Sequence, residues 1–373
     1  MVISEQVLSY VLRSYNTGAV ILSTLIKGAS MEKNKPIDFI ITWVDGNDPN
    51  WQAEKEKYRG TGGDKRANRY RDWDTLRFWF RGVERFAPWV NRVYFVTCGH
   101  LPAWLDTSNP KLQIVNHKDY IPQEYLPTFS SRPIDMNFHH IGELSEHFVY
   151  FNDDMFLIRP VERNDFFKNG LPCDAAIQDV VPPIGKGENG EKLTGDALYT
   201  AVFYNTAVIN RNFDKKSVIA ANRGKWFSKN YGKLVFKNIV LNNWNYFTGF
   251  KTVHLPYSYL KSSYREVWEK EPEVLAEACR HKFRTSTDVN HFIFSYWQFA
   301  KGTFSPRDLS IGKLMSLSND EKRNTRIYET IKTQRLKMIC INDQFSGSNF
   351  EEVNQNLVDS FMSILPDKCS FEL

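Results

Sequence analysis

The chain has 373 residues, 42% of them hydrophobic, enough to bury a large core and too apolar for an extended disordered chain. Lys and Arg outnumber Asp and Glu by 48 to 43, a net charge of +5. That mild excess suits anionic small molecules or phosphate-bearing polymers and argues against a nucleic-acid binder, which would show one dense basic stripe.

At the N-terminus, residues 19–26 form an apolar run far shorter than the roughly 20 residues needed to span a bilayer. It lacks the basic leader and cleavage site of a secretory signal. Two readings of residues 4–27 stay open: helices packed on the domain, or an amphipathic anchor at a membrane surface near Arg13 and Lys27. Five cysteines (Cys98, Cys173, Cys279, Cys340, Cys369) have no short paired spacing, so reduced and mostly buried thiols in a cytoplasmic protein are expected.

Ile37–Val44 reads as a buried strand, and Asp45-Gly46-Asn47-Asp48-Pro49 as the turn ending it. Carboxylates just past a core strand stand where open α/β sheets place their ligand chemistry. Gly60–Asp64 reads as a flexible loop. Thr75–Phe86 has helical spacing, Arg92–Thr97 and Leu112–Val115 read as strands, Ile134–Glu146 as a helix, and Phe148–Phe151 as a strand running into Asn152-Asp153-Asp154. From about residue 214, helical patterns dominate over 215–230, 258–268, 272–283, 288–301 and 319–337. Ile339–Ile341 is a last short strand and 350–364 a last helix. The fold class expected is α/β: a Rossmann-like sheet core with a mainly helical C-terminal subregion. The divisions are an N-terminal helical segment (1–35) and a catalytic domain (36–373). The domain comprises an α/β part to 213, a mainly helical part to 338 and a closing strand and helix.

Asp153 and Asp154 are adjacent carboxylates at a strand mouth, costly to place without a cation. Hard oxygen ligands of this kind suit Mg²⁺ or Mn²⁺ bound with a diphosphate, the alternative being a solvated turn. His254 lies in an extended stretch before a helix and can act as a base or donate to a phosphoryl oxygen. Arg284 follows a helix end and offers a fork matching phosphate oxygens. Arg69, Arg71, Asp72, Arg77 and Arg81 form a dense charged stretch, with Arg77 and Arg81 on one helix face. Arg69 and Arg77 are the candidates there for an anionic substrate, a solvated face being the default. Gly185–Gly190 matches G-x-G-x-x-G by letter but follows Pro182-Pro183 rather than a strand, so no dinucleotide site is expected; residues 183–196 read as a loop over the site.

Together these segments resemble the Stealth proteins, which include bacterial hexose-1-phosphate transferases of capsule synthesis and an animal N-acetylglucosamine-1-phosphotransferase. The resemblance runs in order through IDFIITWVDGNDP (37–49), the stretch from RYRDWDTLRFWF to HFVYFNDDMFL (69–157), HLPYSYLKSSYREVW to FIFSYWQF (254–299) and ICINDQFSGSNF to DKCSFE (339–372). It implies transfer of a hexose-1-phosphate from a UDP-sugar to a polysaccharide or oligosaccharide hydroxyl, with UMP leaving. Asp153, Asp154 and Asp343 would hold Mg²⁺ or Mn²⁺, Asp45 and Asn342 would contact substrate, and Asp135, His254 and Arg284 would be catalytic. The family's usual Glu is here Asp135, one methylene shorter. Either His254 or Asp135 is the base. The rival readings are a metal-dependent glycosyltransferase releasing UDP and a non-catalytic glycan-binding protein. Peripheral membrane association and oligomerisation are the remaining expectations, with the enzyme at the inner face of the membrane.

Overall fold

The computed structural model describes residues 35–59, 71, 73–181, 185–186, 192–193 and 197–373. The expectations for residues 4–27, for Gly60–Asp64, for Arg69 and Asp72 and for most of 183–196 lie outside these residues. Gly185–Lys186 pairs antiparallel with Lys192–Leu193, so the glycine-rich match does not open from a core strand.

Eight strands build the two sheets that frame the site: β1 (Ile37–Thr42), β2 (Val93–Thr97), β3 (Leu112–Asn116), β4 (His147–Phe151), β5 (Met155–Leu157), β6 (Tyr257–Leu260), β7 (Gly312–Leu317) and β8 (Met338–Asp343). The larger sheet has the order β6-β4-β1-β2-β3, parallel except for the edge strand β6. β1 is central, with Ile40 facing Tyr94 on one side and Tyr150 on the other. Its residues Ile37 to Ile41 are all buried, as expected of a parallel strand covered on both faces. The one charge among them, Asp38, is satisfied by Asn91 Nδ2 and Ser145 N, each at 2.7 Å. The smaller sheet has the order β7-β8-β5.

The helices of the first half include α1 (Pro49–Arg59), α2 (Leu76–Phe86) and α3 (Ser131–Met136). Helix α2 buries Leu76, Phe78, Trp79, Phe80, Val83 and Phe86 and lies close over β5. The approach needs Gly82: a Cβ there would stand 2.8 Å from the Leu157 carbonyl oxygen. Where a helix over Ile134–Glu146 is expected, the chain forms α3 and one tight turn, Phe138–His140, and then extends. The buried Lys261 explains the stop, because its ammonium takes the carbonyls of Ile141 (2.7 Å), Gly142 (3.1 Å) and Leu144 (3.2 Å), which a continuing helix would have used.

The second half is less purely helical than its pattern. Residues 258–268 divide into β6 and a helix from Lys261 to Lys270, and β7 is a further strand. β6 is the edge strand against β4, with Tyr257 opposite Tyr150. α4 (Ala197–Asn212) precedes the expected helical region, and the stretch 215–230 breaks into short helices that end in α5 (Val235–Leu241). All five cysteines are free, and all but Cys98 are buried.

Candidate active site

The parallel strands run in the order β3-β2-β1-β4, so the connections leaving β1 and β4 diverge and open a crevice at their carboxyl ends. Two cavities of about 360 and 510 Å³ fill it. They share Trp43, Val44, Asp153, Arg284, Asn342 and Gln344 and so form two arms of one cleft.

The smaller arm is acidic and basic. Asp45 after β1, Asp153 and Asp154 after β4, and Asp343 at the end of β8 all line it, facing Arg71 and Arg284. The two acidic turns meet because the sheets are stitched there: Ile341 N donates to the Asp154 carbonyl at 2.8 Å, while Cys340 pairs with Met155. Asp45 also caps its own turn, accepting from Asn47 N at 2.9 Å. Asp48 does not join the cleft as the turn sequence allowed, because its carboxylate accepts from Trp51 N at 2.7 Å and caps α1. Asp343 accepts from Trp73 Nε1 at 3.1 Å and from Phe345 N at 2.9 Å, and Arg71 Nε lies 3.6 Å away.

The larger arm is lined by aromatic rings, Trp51, Phe129 and Phe292 among them, and by Asp135, His254 and Arg284. Asp135 is buried on α3, and one of its oxygens has no hydrogen-bond partner. Burial pushes its carboxyl well above the usual carboxylate range, with the charges of Arg284 and Arg132 pulling partly back. His254 stands between Tyr257, whose hydroxyl is 2.7 Å from Nδ1, and the β4 turn, with Asn152 Nδ2 at 3.4 Å and Asp154 Oδ2 at 3.7 Å from Nε2. Burial holds the Tyr257 hydroxyl well above its usual range, so it keeps its proton and can donate to Nδ1. With Nδ1 turned to Tyr257, Nε2 is the ring nitrogen that faces the acidic turn. Arg284 stands at the junction of the arms and donates from Nη2 to Ser131 Oγ at 2.7 Å. Its loop is clamped by the buried Asp288, which accepts from Arg132, from Thr285 N (2.8 Å) and Oγ1 (2.5 Å), and bonds His281 Nδ1 (2.6 Å).

Of the other expected site residues, Asn342 lines both arms. Arg77 lines neither: it pairs with Asp74 at 3.1 Å and lies over the Trp104 ring. Its helix-face partner Arg81 is buried in a salt bridge with Glu372. Sequence reading did not single out Tyr257 or Cys340, nor Arg71 as a cleft residue. Arg71 and Asp343 are far apart in the chain, and no local pattern announces their pairing.

Whether this donor set suits a divalent cation can be tested on its atoms. Asp154 Oδ1 is a buried acceptor without a hydrogen-bond partner, and three further carboxylates line the same arm. That suits a hard cation with oxygen ligands. Among the described residues, Asp154, His254 and Cys340 form a trio whose donor atoms lie within 4.8 Å of one another and which includes a sulfur. Burial, reinforced by the Asp154 carboxylate, pushes the Cys340 thiol well up, so it stays a neutral S–H beside that carboxylate. The carboxylates therefore fit a hard divalent cation, for which a neutral thiol is the poorer donor.

The sequence matches the family models for the Stealth proteins: conserved region 1 over residues 35–63, conserved region 2 over 69–173 and conserved region 4 over 329–373. The capsular polysaccharide phosphotransferase WcwK of Streptococcus pneumoniae is 42% identical over 346 residues, covering 92% of this chain and 99% of that protein. The receptor polysaccharide phosphotransferase WefC of Streptococcus oralis is 38% identical, covering 90% and 99%. The exopolysaccharide phosphotransferase cps2G of Lactiplantibacillus plantarum is 38% identical, covering 90% and 96%. Among solved structures, the galactosyltransferase LgtC in complex with donor and acceptor sugar analogs aligns over 86% of this chain and 95% of that one, at 9% identity and a TM-score of 0.34.

Proposed function

The chain belongs to the Stealth family and is a transferase, and from that premise we propose that it moves a hexose-1-phosphate from a UDP-sugar onto a hydroxyl of a bacterial capsular or cell-surface polysaccharide. An N-acetylhexosamine-1-phosphate is one such unit. The acceptor oxygen attacks the β-phosphorus, a phosphodiester forms, and UMP leaves. The observation that carries this reading is the smaller arm, where four carboxylates and two guanidiniums surround a space suited to a diphosphate.

Asp153, Asp154 and Asp343 would hold Mg²⁺ or Mn²⁺, which offsets the diphosphate charge when bound. Arg284 donates to the non-bridging oxygens as charge shifts onto them. His254, whose Nε2 faces the same place, serves as a second donor. That leaves Asp135 as the base: its raised proton affinity suits it to take the proton of an acceptor hydroxyl in the larger arm. Asp45 and Asn342 contact the substrate at the junction of the turns.

The test is to follow the bond that breaks. With a UDP-sugar labelled at the β-phosphate, Mg²⁺ and an oligosaccharide acceptor, label is expected in the acceptor and UMP in solution. UDP with an unlabelled, glycosylated acceptor would establish a glycosyltransferase instead. EDTA should stop turnover, and Mg²⁺ or Mn²⁺ should restore it.

A further inference from the structure

Between Asp214 and Glu266 the chain has ten Lys and Arg and no Asp or Glu. In a protein of net charge +5 this stretch holds more than the whole excess, so the rest of the chain is net negative. In its middle lies an apolar surface that the described residues leave exposed. Phe236, Ile239 and Val240 on α5 are 63%, 50% and 70% exposed, and Trp244 and Tyr246 in the following turn are 58% and 68% exposed. Phe236, Val240 and Trp244 are four residues apart, and Trp244 N bonds to the Leu241 carbonyl, so they continue one helical stripe. Large apolar side chains in such a row on a free surface mark an interaction site rather than scatter.

The surface is fixed in place. The buried Lys215 donates to the carbonyls of Leu241 (2.6 Å) and Tyr246 (3.3 Å), holding the turn that carries Trp244. Asn238, on the inner side of α5, bonds Ala176 O (2.8 Å) and Trp226 O (2.6 Å), which turns the Phe236 and Val240 side outward. Lys216, Arg223, Lys229 and Lys233 are exposed on the same stretch. Asp179, a carboxylate from another segment, lies against α5 and is paired with Lys237 Nζ at 2.6 Å.

We propose that α5 and the turn after it dock the protein on an anionic lipid bilayer, Phe236, Val240 and Trp244 entering the interface while the lysines meet lipid headgroups. Aliphatic and aromatic residues rimmed by basic ones are the composition of a helix lying in a membrane surface, and Trp and Tyr favour the headgroup level. A polyanionic glycan would use the charge and the rings but has no use for Ile239 and Val240. The same segment runs on from Tyr246 to His254, eight residues that span at most about 28 Å when extended. The cleft would then work within that distance of the lipid, where an acceptor with a membrane-anchored end can reach it.

The full-length protein can be sedimented with vesicles of phosphatidylglycerol and phosphatidylcholine, or of phosphatidylcholine alone. It should bind the anionic vesicles at least about tenfold better. The triple substitution Phe236→Ser, Val240→Ser, Trp244→Ser should lose about tenfold or more in anionic-vesicle binding, with circular dichroism and turnover of soluble substrates unchanged. Residues 1–34 are present in both proteins, so the difference reports this surface alone. Lys229→Glu with Lys233→Glu, both on exposed side chains, should abolish the preference for anionic lipid. Equal binding of wild type to both vesicles, or undiminished binding by the triple variant, overturns the proposal. So does a finding that the substitutions weaken self-association or capture of a phosphodiester-linked glycan while vesicle binding stays the same.

Discussion

Replacing Asp154 by Asn keeps the shape of a side chain that the β4 turn holds and deletes its charge. The fold should survive, and turnover should fall by about 10³-fold or more, the cost of several kcal/mol of lost charge stabilisation. Near-normal turnover at saturating Mg²⁺ would remove Asp154 from the cation site. Arg284→Lys keeps the charge but loses the fork, and a fall of about 10²-fold in kcat with little change in KM is expected. Asp135 makes a prediction about pH. As a base it must be ionised, so kcat should rise with pH through a value well above the ordinary 4 of an aspartate, and Asp135→Asn should abolish that limb. Stability should run the other way. The folded protein holds this proton more tightly than the unfolded chain, so the contribution is full below the unfolded pKa and lost as pH rises through the folded one. Thermal melts across that range should show wild type losing stability relative to Asp135→Asn; parallel curves would mean that the group does not titrate as buried.

At the scale of elements, the clamp on the Arg284 loop is the weak point. Asp288 is wholly buried and answers Arg132, which is also buried. Asp288→Ala would take the carboxylate from that buried guanidinium, at a cost of about 3 kcal/mol, read as a lowered denaturation midpoint. The loss of kcat should resemble that of Arg284→Lys if the clamp positions Arg284. Such a clamp was not readable in the chain, since Asp288 and Arg132 are ordinary residues until the fold brings them together. β1, β2 and β4 were readable, because double burial writes them as continuous apolar runs, and so were the carboxylates that follow β1 and β4. β6 was not: Tyr-Ser-Tyr-Leu is short, leads directly into a helix and takes its pairing from Tyr150 and its neighbours on β4. β7 reads poorly for a related reason, as its middle residues are largely exposed and give no apolar run. His254 was singled out from its local sequence and Asp135 by resemblance, but the division of labour proposed for them was not readable. It rests on the Tyr257 hydroxyl and on the burial of α3, neither of which is a local property of the sequence.

For the whole molecule, the last residues lock the first half of the chain. Arg81 donates to both oxygens of Glu372, at 2.6 and 2.8 Å, and to the Leu365 carbonyl at 3.0 Å, inside the protein. Burial alone would raise the Glu372 carboxyl, but its bonds to Arg81 prevail and hold it below its usual value. Its contribution is therefore present above the unfolded pKa and lost as pH falls through the folded one. Glu372→Gln should cost about 3 kcal/mol at neutral pH and progressively less in acid; a constant difference would assign the effect to packing. Every group given a role in the chemistry lies at or beyond Asp45, so deletion of residues 1–30 should leave turnover of soluble substrates intact. The contact at Gly82 bears on a different matter, the freedom of the protein to change. Helix α2 rests on β5 with no room for even a methyl group, and β5 follows directly from the turn that carries Asp153 and Asp154. An alanine at position 82 would have to lift the helix or displace the strand, and either shift would be felt at the carboxylates. The tolerance of the site thus ends at a position that meets no ligand, and a library that diversifies only the cleft would leave untouched one of the residues that set its dimensions.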